Sequence, residues 1–353
     1  MGEMRGSSLT VGAKNAQTMM LLGQPDAALI QLGDLAHSVR VGGLLPTIKS
    51  LVPAIRKKTE TSSAELGIID TISADISTNG VLSSGVDSVL KWSGFKAMDR
   101  LGKDTFISAV YKNNSNLAKT NPVKITEKWG AVFGDETLSL INDLKAGKMS
   151  DNVKLLLFNE LSDVQPISLS EMPQAYLNNP NGRILYALKS FALKQIDIMR
   201  REFIQEMAKG NYKEGLKNIT NYAVTVGLAG GTWSFVRDAL QTKELDIDKF
   251  DDKVFESLMS VLFLNKYARD RQLSEGGVGG WAWGIATPAI VNLSDEGGAA
   301  LLELVKKDED QDPETFNKAV SKLPVIGKVA YYWLLGGAER KLERERKQEE
   351  RDR

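Results

Sequence analysis

Few residues in this chain have types and spacings that could carry a reaction. There is one histidine, His37, in "GDLAHSVR". A Ser-His-Asp arrangement would have to use it, yet it lies on an amphipathic helical pattern and no nucleophile elbow occurs anywhere. His37 is therefore expected to be a structural residue with a satisfied side chain. Carboxylates could work as an acid and base pair. The candidates are Glu160 with Asp163, or Glu171, beside a proline-rich turn. A second acidic group, Asp246, Asp248, Asp251 and Asp252, invites a metal reading, but it lacks the glycine and terminal glutamate of an EF-hand loop. A solvated linker or helix cap is the expected role there. With no cysteine in the chain, disulfides, thiolate metal sites and thiol nucleophiles are excluded. No phosphate-binding GxxxxGK[ST] loop, zincin motif or kinase motif is present. No catalytic residue, no metal site and no cofactor are expected.

Composition sets the next bounds. The 353 residues are 42% hydrophobic and 25% charged, which suits a chain that folds around cores. Lysine plus arginine and aspartate plus glutamate are equal at 45 each. That balance argues against a dedicated nucleic-acid binder, which shows a basic excess. The opening "MGEMRGSSLT" has no apolar run for a signal peptide, and Gly6 stands where a myristoylation motif needs Ser or Thr.

The elements that would position these residues read as helices. "AQTMMLLGQPDAALIQLGDLAHSVRVGGLLPTIKSLVPAIRKK" breaks into three at Gly23 to Pro25, at Gly42-Gly43 and at Pro46, with Pro53 kinking or ending the last. "SSAELGIID" fits a helix start capped by Ser62 or Ser63. "DSVLKWSGFKAMDRLGKDTFISAVYKNNSNLAK" gives two helices split near Gly94 and Gly102. Trp92, Phe95, Met98, Phe106 and Tyr111 are expected to supply core. Asp135 and Ser150 are expected helix N-caps and Gly147 a C-cap. No strand alternation persists and no tandem repeat is found.

Pro166, Pro173 and Pro180 then divide residues 161–182 into short pieces, ending in the turn "NNPNG". An amphipathic helix follows from Arg183 to Phe203. Its expected docking face is Arg183, Leu188, Phe191, Lys194, Arg200 and Arg201, for a partner, another copy or an acidic membrane surface. Packing on its own domain is the alternative.

Two runs beyond it carry no charge, residues 218–236 and 276–294. A spanning helix needs about 20 mostly apolar residues. Small-xxx-small spacing occurs at Gly227 and Gly231 and again at Gly276, Gly280 and Gly284, which lets helices approach closely in lipid. Trp233, Trp281 and Trp283 suit a headgroup belt. The expected membrane contacts are Gly227, Gly231, Trp233, Gly280, Trp281, Trp283 and Gly284. Polar residues and Pro288 interrupt the runs, so buried helices and glycine-rich loops of a soluble domain are the alternative. A third apolar segment, residues 323–338, is short and contains Lys328.

The expected class is all-α: an irregular multi-helix array with a C-terminal region of apolar, glycine-rich helices able to insert in a membrane. The expected divisions are a soluble helical domain over 1–165, a Pro/Asn-rich junction and amphipathic helix over 166–217, a membrane-prone region over 218–338 and a charged tail over 339–353.

The stretch "LSDVQPISLSEMPQAYLNNPNGRILYALKSFALKQIDIMRRE", with "GFKAMDRLGKDTFISA" upstream and "LPVIGKVAYYWLLGGAERK" downstream, resembles the C-terminal region of the large polyvalent proteins of tailed bacteriophages. The resemblance spans roughly residues 19–341. It implies an internal virion protein, carried in the capsid and delivered with the genome to the host envelope, and a chain that is one piece of a longer polypeptide. Family members carrying enzymes do so in modules that this chain lacks, so no activity transfers. The resemblance implies other virion proteins, copies of this chain and a host membrane as partners. No sequence-specific nucleic acid and no small-molecule substrate are expected. The competing reading is a soluble packing module of a phage polyprotein.

Overall fold

The computed structural model describes residues 35–68, 81–165, 197–198, 200–213, 215–218 and 220, and the single positions 15, 18, 19, 22, 23, 28 and 331. Among the described residues there are helices and turns and no strand, so the all-α class holds. The helices are α1 (Leu35–Gly42), α2 (Leu44–Ile55), α3 (Val81–Trp92), α4 (Phe95–Thr120), α5 (Pro122–Phe133), α6 (Thr137–Ala146) and α7 (Asp151–Val164). A π-helical turn at Arg200–Ile204 runs into a short α8, Gln205–Ala208.

Helix α4 is the axis of the array. It packs against α1, α2, α3, α5, α6 and α7. Every residue from Gly102 to Tyr111 is buried, on all sides of the helix. This overturns the expected break at Gly102, which lies inside one continuous 26-residue helix. A glycine inside a helix costs only about 1 kcal/mol relative to alanine, which packing around a central element readily offsets. The break at Gly94 is real: its φ of 82° is left-handed and turns the chain between α3 and α4.

The main core joins Phe106, Ile107 and Val110 of α4 to Trp129 and Phe133 of α5, Leu140 and Leu144 of α6 and Leu156, Leu157 and Leu161 of α7. The Trp129 and Phe133 rings meet edge to face at 6.3 Å, a favoured aromatic geometry. A smaller cluster joins Val86, Leu90 and Phe95 to Ala28. Of the five expected core residues, Phe95, Phe106 and Tyr111 are buried and Met98 is partly so, but Trp92 is 80% exposed. Trp92 is the last residue of α3 and lies just before the Gly94 turn.

The breaks in the N-terminal segment fall at Gly23 and Gly43. Pro46 does not break α2. It sits in the first turn, where a missing N–H costs no helical bond. Pro53 lies in the last turn of α2, which ends at Ile55. "SSAELGI" forms a single turn and not a helix. The Ser62 hydroxyl accepts the Glu65 N–H at 3.3 Å, while Ser63 points elsewhere. Ser150 takes the N-cap position of α7 without a side-chain cap bond. Asp135 lies in a 3-10 turn, Gly134–Glu136, so Glu136 and not Asp135 precedes α6. Gly147 closes α6 with a left-handed φ of 71°.

Candidate functional site

The residues with chemical potential are held by structure. His37 lies on α1 with 1% of its surface exposed. Burial, and then the positive charge of Arg40, lower its pKa from 6.5 to about 3. It is a neutral imidazole at neutral pH, far from the poise of a general base near pH 7. Glu160 and Asp163 are three apart on α7, and a cation answers each. The Lys128 ammonium of α5 is 2.6 Å from buried Glu160 and lies 5.1 Å over the Trp129 ring. The Arg201 guanidinium is 2.9 Å from Asp163. Glu171 and the Asp246 to Asp252 cluster lie outside the described residues. Among the described residues no group of three or more His, Asp or Glu could hold a metal ion. The depression lined by Gly210, Asn211, Tyr212 and Lys213 is open surface, not an enclosed cleft.

The polar residues of α4 tie the loop after α2 to the array. Buried Asp104 accepts the Ser63 N–H and hydroxyl, both at 2.8 Å, and Arg100 Nε at 3.2 Å. Ser108 donates to Glu60, and Lys112 reaches both Glu60 at 3.5 Å and the Ser50 hydroxyl at 3.0 Å. Burial raises the Glu60 pKa, but the Ser108 and Lys112 contacts and its own backbone N–H outweigh that and hold it below the usual carboxylate value.

Of the expected docking face, Arg200 and Arg201 are described. Arg200 pairs with Asp197 at 3.0 Å on the surface. Arg201 binds the Asp163 carboxylate and, at 3.3 Å, the Asp163 carbonyl. Asp163, with Asp197 and Glu202, holds the Arg201 pKa above its usual value although burial pulls it down. Next to it Glu202 takes Arg40 of α1 at 2.6 and 2.8 Å, and Ile198 enters the main core. This end of the segment is therefore fastened to the N-terminal helices of the same chain. Arg183, Leu188, Phe191 and Lys194, and the expected membrane contacts Gly227, Gly231, Trp233, Gly280, Trp281, Trp283 and Gly284, lie outside the described residues. No described helix is long and apolar enough to cross a membrane.

One surface was not anticipated. Helix α2 is turned inside out. Its buried residues are Thr47, Ser50 and Ala54. Its large apolar residues Leu44, Leu45, Ile48, Val52 and Ile55 are each 50–62% exposed. On ideal helical geometry these five fall within an arc of roughly 100°. The reason is the closeness of α4. A methyl group on Gly42 would lie 2.8 Å from the Ala109 Cβ, so at Gly42 the α1–α2 corner comes too close to the axis for any side chain. Thr47 returns its hydroxyl to the Gly43 carbonyl at 2.8 Å, and Ser50 receives Lys112. The small hydroxylic face fits this gap and the leucine-rich face does not. Isolated exposed apolar residues are ordinary, but five on one short helix form a patch that marks an interaction surface. The signal was present in "GGLLPTIKSLVPAIRKK", where hydroxyl and alanine positions repeat opposite the large residues. Apolar periodicity alone assigns that large face to the core.

Comparison with known family models, curated proteins and solved structures gives no match to this chain.

Proposed function

We propose that the chain is a non-enzymatic helical protein that acts by assembling at a membrane, and that it does so as an internal virion protein delivered with a phage genome. The observation that carries the membrane part is the outward apolar face of α2. The virion part rests on the resemblance of the three stretches quoted above. The ion-pair commitments of Glu160 and Asp163 and the neutral, buried state of His37 support a role without catalysis. The uncharged runs 218–236 and 276–294 would deepen the membrane contact, and the proposed partners are copies of the chain and other virion proteins.

Vesicle flotation of the full chain, combined with sedimentation of the lipid-bound fraction, tests this. The chain should float and form oligomers on the vesicles. A monodisperse monomer that stays at the bottom of the gradient would replace this reading with the soluble packing module. Mass spectrometry of purified particles tests the virion part, since the chain should be present in filled particles and depleted after genome release.

A further inference from the structure

The exposed face of α2 has a second property, its charge. Lys49 and Arg56 lie seven residues apart on the same edge of the apolar arc, and Lys57 and Lys58 follow at the helix end. All four are exposed. Among the described residues none of them pairs with a carboxylate, and no Asp or Glu occurs between Asp34 and Glu60. The polar groups facing α4, Thr47 and Ser50, are already hydrogen-bonded.

We infer that α2 is an interfacial membrane helix whose occupant is an anionic lipid surface, with Leu44, Leu45, Ile48, Val52 and Ile55 entering the acyl boundary and Lys49, Arg56, Lys57 and Lys58 meeting the headgroups. This rests on the membrane reading above and assigns it to a particular helix and lipid charge. Three observations select this occupant. Twelve residues make a helix of about 18 Å, too short to span a hydrocarbon core of about 30 Å, so the helix lies along the surface. A strongly apolar face edged by Lys and Arg is the pattern of helices that bind in the interface plane. The rim also disfavours a second copy. Isologous pairing of two α2 faces would bring two all-cationic edges together with no carboxylate on either helix to answer them. A bilayer of anionic lipid supplies that negative charge everywhere along the contact.

The helix is also held for this task. The left-handed Gly43, with φ of 88°, separates α2 from α1, and Lys112 and the close Gly42–Ala109 approach fix its buried side. The apolar face is therefore displayed outward while the opposite side of α2 is packed on α4, so it needs no unfolding step to reach a surface.

The test uses the full chain and two double variants, Ile48→Ser with Val52→Ser, and Lys49→Gln with Arg56→Gln. All four positions are exposed, so the fold should be retained, as thermal melts would verify. Flotation is measured on vesicles of phosphatidylcholine alone and of equal parts phosphatidylcholine and phosphatidylglycerol. The native chain should partition onto the anionic vesicles, and each double variant should bind them about tenfold more weakly or worse. Added salt should weaken the native chain and the serine variant more than the glutamine variant. If the native chain floats and both variants float equally well, the contact lies elsewhere in the chain; this inference falls, the α2 face no longer supports the membrane reading, and that reading passes to the uncharged runs 218–236 and 276–294. If the native chain does not float, both fall. If the serine variant melts several degrees lower than the native chain, the chain itself covers the face, which also overturns the inference. A change of sedimentation in the variants without lipid would give the face to a second copy and overturn it as well.

Discussion

Asp104 and Ser63, 41 residues apart in sequence, share two hydrogen bonds at 2.8 Å, one from the Ser63 N–H and one from its hydroxyl. Both residues are buried, and both bonds end on the same carboxylate oxygen. The second oxygen takes Arg100 from one turn earlier on α4. The loop after α2 has few large apolar side chains with which to hold itself down, so a buried, fully answered carboxylate does that work. This also explains why a helix with a charged sequence can be the centre of the array.

Replacing Asp104 by alanine should therefore be costly. It leaves the buried Ser63 N–H and hydroxyl without their acceptor, and each buried unsatisfied group costs about 1–3 kcal/mol. The expected loss is about 3 kcal/mol in urea unfolding. Asp104→Asn keeps an acceptor oxygen for Ser63 and should lose less. Equal losses for the two variants would mean that the charge, and not the acceptor, is what the site needs.

How much of this was legible beforehand differs by element. The Gly94 break, the Gly147 C-cap and the buried Phe95, Phe106 and Tyr111 follow from local rules. The uninterrupted α4 does not, because Gly102 is tolerated only by virtue of what surrounds it. Trp92 misleads for the opposite reason: its hydrophobicity argues for core, while the Gly94 turn leaves it outside. The inward face of α2 depends on how near α4 comes, a tertiary distance that no periodicity encodes. Likewise, Arg201 reads as a free cation until Asp163, 38 residues earlier, is brought beside it.

Gly42→Ala should destabilise the α1–α2 corner. The added methyl would meet the Ala109 Cβ at 2.8 Å and the Ala109 and Val110 backbones at 3.0 and 3.1 Å. Backbone atoms cannot swing aside, so a strain of about 1–3 kcal/mol is expected, reduced by the better helix propensity of alanine. Adding Ala109→Gly removes the nearest clash but not the backbone ones. Denaturant unfolding of both single variants and the pair should show partial recovery in the pair, after allowance for the Ala109→Gly cost measured alone.

Lys57→Gly should stabilise. Lys57 has a φ of 53°, left-handed and unusual for a side chain with a Cβ. It closes α2 with the Lys57 N–H on the Ala54 carbonyl at 3.1 Å and the Lys58 N–H on the Pro53 carbonyl at 2.9 Å. Gly67, Gly147 and Gly210 end their turns with the same bond pattern and carry the same sign of φ. Lys57 is exposed, so its loss removes no packing. The expected gain is about 0.5–1 kcal/mol, read as a higher denaturant midpoint at unchanged slope.

Stability should also fall with acid in a way that His37 accounts for in part. Its pKa is about 3 in the folded chain against 6.5 for the ordinary group, because burial and then Arg40 oppose the imidazolium. Above pH 6.5 neither state carries the proton and the contribution is complete. Between pH 6.5 and about 3 the unfolded chain takes up a proton that the folded chain refuses, so stability declines by roughly 1.4 kcal/mol per pH unit from this group. Below that both states are protonated and the decline stops. Carboxylates also lose their partners in acid, so the raw profile mixes several groups. The difference between the native chain and His37→Gln separates them, since glutamine does not titrate and the other groups are common to both. Urea unfolding from pH 7 to pH 4 should show the native chain losing up to about 3 kcal/mol more than His37→Gln. Parallel profiles would mean that a proton reaches His37 in the folded state, and that α1 opens more readily than its burial implies.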